Sequence, residues 1–264
     1  MSDAVTKSAA QGAVLEGKPI ELYGLKLWGI PMKQYEGWAK CKNVWLARQS
    51  TFPVFCITMT FLDALLALDM QAMNENGTPP LNINRILYGL GMALGMDEHC
   101  LMDGRLSVAI DEQKGKLKSI LIRQSNETVE ITPQKFNSIR QAVAWMQGDE
   151  VPDESMNDDL LETAMELAER NAPNLHYELM DMEASVAAAY GIRTRDILDW
   201  PILEFESAKR AIDRKLKYIV CGIGATNGCK WDGGNPYPSW VFDRAKDGTA
   251  ALISPSQFGK SKSH

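Results

Sequence analysis

Apolar residues recur at spacings of three and four over most of this chain, the period of helices with one buried face. The longest such run follows Pro201, a residue suited to a first helical turn because its missing N–H costs nothing there. Phe205, Ala208, Ile212, Leu216, Ile219, Val220 and Ile223 mark one face, and Glu206, Lys209, Arg210, Asp213, Arg214 and Lys217 the other. Glu206 stands four before Arg210, and Asp213 four before Lys217, the order that supports a solvated face. The pattern predicts a buried stripe along the whole helix, which Gly222 and Gly224 then end.

Upstream, Pro31 opens a helix carrying Tyr35, Trp38, Cys41 and Trp45, preceded at 20–28 by a short strand or extended docking segment. Residues 52–73 are the most hydrophobic run and predict one helix. Asp63 and Asp69 interrupt it, so it reads as a core helix and not a membrane span. Six apart on a helix, those two carboxylates point to different faces and form no acid pair. After the break Asn76-Gly77-Thr78-Pro79-Pro80, a helix over 83–94 carries Gly89, Gly91 and Gly95, which implies close approach of a neighbour.

The period then changes to two. Residues 105–111 and 116–123 flank Glu112-Gln113-Lys114-Gly115 as a hairpin, and 127–131 adds a third strand. Thr132 and Pro133 start a helix with Phe136, Ile139, Val143, Ala144 and Met146 inward and Gly148 as its stop. A further helix over 179–190 points Met180, Val186 and Ala187 inward and ends at Gly191. The fold class expected is α+β, mainly α-helical. Its parts are a mobile polar tail (1–19), a helical part (20–103), a β-hairpin and helix unit (104–148), an acidic linker (149–159), a helical part with an aromatic Gly/Pro loop (160–244) and a polar tail (245–264).

The 264 residues are 45% apolar, enough for real cores, and the net charge of −6 argues against a phosphate-backbone surface, so no nucleic acid is expected. Five cysteines, an odd number with no CxxC, read as reduced thiols of a cytoplasmic protein. Neither a signal segment nor a membrane anchor is expected from residues 1–19. The acids from Asp149 to Asp159 lack the ligand spacing of a calcium loop, and three histidines give no zinc pattern, so no metal or cofactor is expected. Gly222-Ile223-Gly224 follows a helix, not a strand, and lacks the third glycine of a dinucleotide fingerprint.

What stands out instead is the loop 224–242. Asn235-Pro236-Tyr237-Pro238 stiffens it, and Trp231, Tyr237, Trp240 and Phe242 give it apolar mass to pack on itself or on a partner. These four are the candidate partner-binding residues; no catalytic residue is assigned. An enzyme with Cys229, Asp232 and Asp243 around a pocket under the loop is the rival reading.

Several segments together resemble tail-module proteins encoded by prophages of Gram-positive bacteria. They are Trp45-Leu46-Ala47-Arg48-Gln49-Ser50-Thr51-Phe52-Pro53, Ile131-Thr132-Pro133-Gln134-Lys135-Phe136, Val151-Pro152-Asp153-Glu154-Ser155, Ala211-Ile212-Asp213-Arg214, Cys221-Gly222-Ile223-Gly224, and Gly233-Gly234-Asn235-Pro236-Tyr237-Pro238-Ser239-Trp240. The resemblance covers about residues 20–244. It implies a place among tail assembly or baseplate proteins, in the host cytoplasm or associated with the virion, and supplies no catalytic residues; with no convergent catalytic set in the sequence, the function expected is a non-enzymatic, chaperone-like assembly factor. Its partner would be another tail protein, met through apolar helix faces and the 224–242 loop. A prophage-encoded modulator of a host protein is a further alternative.

Overall fold

A computed structural model describes residues 5–79, 81–111, 113, 115–124, 127–154 and 178–229. The protein is mainly helical α+β, with one two-stranded and one three-stranded antiparallel sheet among the described residues. In chain order come α1 (Lys7–Leu15), β1 (Ile20–Leu22), β2 (Leu25–Leu27), α2 (Tyr35–Trp45), α3 (Phe61–Asn76) and α4 (Asn82–Ala93). Then follow β3 (Leu106–Asp111), β4 (Lys116–Gln124), β5 (Glu127–Ile131), α5 (Pro133–Met146), α6 (Leu179–Tyr190), α7 (Thr194–Ile197) and α8 (Ile202–Thr226). Backbone contacts divide the chain into two bodies, 1–154 with 195–206, and 155–194 with 207–264.

The first body departs from the expected polar tail at once. Thr6 caps α1 by accepting the Ala9 N–H at 3.2 Å, and Ala10 and Val14 are buried as the helix packs on α5. The segment at 20–28 is a hairpin, Leu22 pairing with Leu25 across Tyr23 and Gly24, both at positive φ. Its alternation buries Ile20, Leu22, Leu25 and Leu27. Residues 20–103 and 104–148 belong to this same body, α5 packing on α1, α3 and β4.

The expected helix over 52–73 begins only at Phe61. Pro53 starts a 3-10 turn, Val54–Cys56, and Thr60 caps α3 by accepting the Asp63 N–H. Upstream of that cap Val54, Phe55 and Ile57 are exposed, so part of this apolar run is surface.

The two aspartates of α3 tie other elements to it. Asp63 accepts the Leu117 N–H of β4 at 2.9 Å. Buried Asp69 accepts from the N–H groups of Leu81, Asn82 and Ile83 and from the Asn82 amide, at 2.9–3.2 Å. It thereby satisfies the first turn of α4, whose own N-cap residue, Leu81, supplies no side-chain cap.

At the opposite end of α2 a buried cation does the complementary work. Arg140 donates from Nε to the Trp45 carbonyl at 2.6 Å and from its fork to Ala47, and its guanidinium lies 3.7 Å from the Phe61 ring centroid. Burial pushes the Arg140 guanidinium down to about 10, which leaves it charged at neutral pH. The aromatic core beside it runs Trp38–Trp45–Phe136, with centroids 5.7 and 5.6 Å apart.

The three-stranded sheet has order β3-β4-β5, with a bulge between Ala109 and Ile110. Thr132 and Pro133 start α5 as expected, and Phe136, Ile139, Val143, Ala144 and Met146 are buried.

In the second body α6 ends at Gly191 in the left-handed conformation and buries Glu183, Val186 and Ala187. Met180, expected inward, is 69% exposed. Residues 155–177 and 230–264, which hold the remainder of the expected C-terminal part, lie outside the described residues.

Candidate functional site

Residue 208 divides α8 into a part with an ordinary core face and a part without one. Phe205 and Ala208 are buried and Ile212 is half-buried. One to three turns later on the same face, Leu216, Ile219, Val220 and Ile223 are 57%, 43%, 66% and 57% exposed. The stripe read as buried over its full length is therefore solvent-facing from Leu216 onward. Helical periodicity reports that a face is apolar; what covers it is decided by packing.

The helix also runs past the two glycines expected to end it. It closes at Gly228, with φ at +84°, where Gly228 N–H reaches the Ala225 carbonyl and Cys229 N–H the Gly224 carbonyl. Gly222 sits inside the helix with open space where a Cβ would be. The solvated face behaves as its charge order predicts, Lys217 meeting Asp213 at 2.7 Å.

The first body carries a second feature, an open cleft of about 730 Å³. It lies between the start of α2 and the end of α4, among Lys33, Glu36, Lys40, Tyr88, Met92 and Glu98. Gly37 lets α4 close in, since a Cβ there would meet Tyr88 at 3.2 Å and the Met92 sulfur at 3.3 Å. Much of the local charge is already paired: Lys33 with Asp199 at 2.8 Å, and Asp97 with Arg105 at 2.6 Å. The hydrogen bond from Arg105 holds the Asp97 carboxyl below the usual carboxylate range.

Cys100 lines this cleft, and burial pushes its thiol up. Cys41, on α2, is pushed up to about 11, again chiefly by burial. Both sulfurs are held as thiols at neutral pH, the opposite of what a nucleophilic cysteine needs. The Tyr88 phenol is raised by burial as well. The cleft is open, with charge of both signs among its lining residues.

Of the residues singled out in the sequence, Trp231, Tyr237, Trp240 and Phe242 lie outside the described residues, as do Asp232 and Asp243. Cys229 is exposed, just beyond the end of α8. No two of the five cysteines are joined. Among the described residues no group of His, Cys, Asp and Glu has the arrangement of a metal site, and no helix is long and apolar enough to cross a membrane. Sequence reasoning missed the cleft entirely. Its lining comes from separate elements, and no local motif announces a space between them. Comparison of the chain with family models, with curated proteins and with solved structures finds no match.

Proposed function

We propose that this protein acts by contact, as a non-enzymatic assembly factor that docks another polypeptide on the C-terminal half of α8. The segment resemblance makes that partner a phage tail or baseplate protein, met in the cytoplasm of a bacterial host or in the virion. One observation supports the reading above the others: a regular apolar stripe leaves the core at Leu216 and continues exposed for two more turns. Aliphatic side chains in that pattern on a solvated helix are the anchors a grooved or helical partner uses. Trp231, Tyr237, Trp240 and Phe242, which follow in the sequence, are proposed as further contacts to the same partner.

The test is affinity capture of the tagged full-length chain from cells expressing the tail genes. Recovery of a defined tail protein in fixed ratio is the expected result. Recovery of none, alongside turnover of a small molecule by the purified chain, would replace assembly with catalysis.

A further inference from the structure

The two halves of α8 are held by different means. At its start Ile202, Leu203, Phe205 and Ala208 are buried, and the Ile202 N–H donates to the Ile30 carbonyl at 2.9 Å. After Ala208 no residue of the helix is buried, and from 215 to 226 all but Cys221 and Gly224 are exposed. That stretch keeps its helical hydrogen bonds without the tertiary packing from which most protein helices draw their stability.

Its composition is poor for a helix left to itself. Among residues 218–226, Ile219, Val220, Ile223 and Thr226 are β-branched, and Gly222 and Gly224 are glycines. β-Branched side chains lose rotamer freedom on a helix. Each glycine moves the helix–coil balance about two- to fivefold toward coil relative to alanine. No charged side chain occurs over 218–226, so the i,i+4 pairing that supports the preceding turns stops with Asp213 and Lys217. The Thr226 hydroxyl bonds back to the Gly222 carbonyl at 2.6 Å, a local contact that adds no stability to a helix interior. The Gly228 turn closes the end and leaves the apolar stripe exposed. An unpacked helix of this length and composition is marginal in water.

We infer that α8 is two cooperative units in one helix: residues 202–208 open only with the first body, and residues 216–226 exchange between helix and coil in the free protein. A partner closing on Leu216, Ile219, Val220 and Ile223 supplies the burial this stretch lacks, so docking and helix formation there are one event. The division of the helix stands on burial and composition alone; its link to docking rests on the proposed function.

Amide hydrogen exchange of the purified full-length chain, read residue by residue by NMR, tests this. The N–H groups of Leu216 to Val220 lie more than one turn inside the helix end, so fraying of the last turn does not reach them. They should exchange at least about a hundredfold faster than those of Phe205 to Ala208. Gly222→Ala, at a site with open space for a Cβ, should slow exchange across 216–226 about two- to fivefold and leave 205–208 unchanged. Protection at 216–220 equal to that at 205–208 overturns the division. An alanine effect spread equally over both stretches shows a helix that opens as one unit, and overturns it too. In the complex recovered by capture the same amides should slow at least about tenfold; unchanged rates there overturn the coupling of docking to helix formation. Capture that fails, with 216–226 still exchanging fast, would remove the docking reading and leave the divided helix standing.

Discussion

At Gly89 a Cβ would stand 2.3 Å from the Trp45 indole nitrogen and 2.9 Å from its Cε2, inside the buried Trp38–Trp45–Phe136 core. The indole is fully buried and has little room to give. Gly89→Ala should therefore cost about 2–3 kcal/mol of unfolding free energy in urea titration, although alanine is the better helix former. This contact was legible as a need for a small residue at 89. Nothing in the sequence said that a tryptophan from α2 would fill the space.

Glu183 offers a second test at the same scale. Burial raises its carboxyl above the ordinary glutamate range, so the folded protein keeps this proton at pH values where the unfolded chain has released it. That contribution to stability is present at acid pH and is lost as pH rises through the folded value. Glu183→Gln, neutral throughout, should melt progressively higher relative to the native protein as pH goes from about 4 to 7.5. A difference in melting temperature that stays constant over that range would contradict the assignment.

Among the elements, α3 shows most plainly what periodicity reads and what it misses. The apolar run over 52–73 was visible, but Pro53 and the Thr60 cap delay the helix to Phe61 and leave Val54, Phe55 and Ile57 at the surface. Spacing gave Asp63 and Asp69 different faces; their partners, the Leu117 N–H and the first turn of α4, depend on tertiary placement. The short sheet and α5 were legible almost to the residue, because turn, cap and alternation signals there are all local. In α8 the glycines at 222 and 224 misled, since intrahelical hydrogen bonding carries the backbone on to the Gly228 turn. With nothing within 4 Å of its missing Cβ, Gly222→Ala should raise helix stability by about 0.5 kcal/mol, measured as monomer by circular dichroism. A loss of stability would mean that something already packs against that position.

For the whole molecule, the sequence conveyed the fold class and most of its parts, and the contact chemistry far less. Whether an apolar helix face is core or surface is a property of what else the chain places there, which local pattern does not encode. In the first body buried charges close helix ends, Asp69 at the start of α4 and Arg140 at the end of α2. The second presents aliphatic side chains with no such cover, and the account of function depends on them.

Leu216→Asp, followed in parallel by thermal melting and by capture of the tail partner, tests that account most directly. Binding should fall by at least about 2 kcal/mol, the loss of an interface anchor, while the melting temperature of the unbound chain stays within experimental error. A large drop in melting temperature would place Leu216 in the core of this protein, and unchanged capture would remove it from the interface; either result contradicts the proposal.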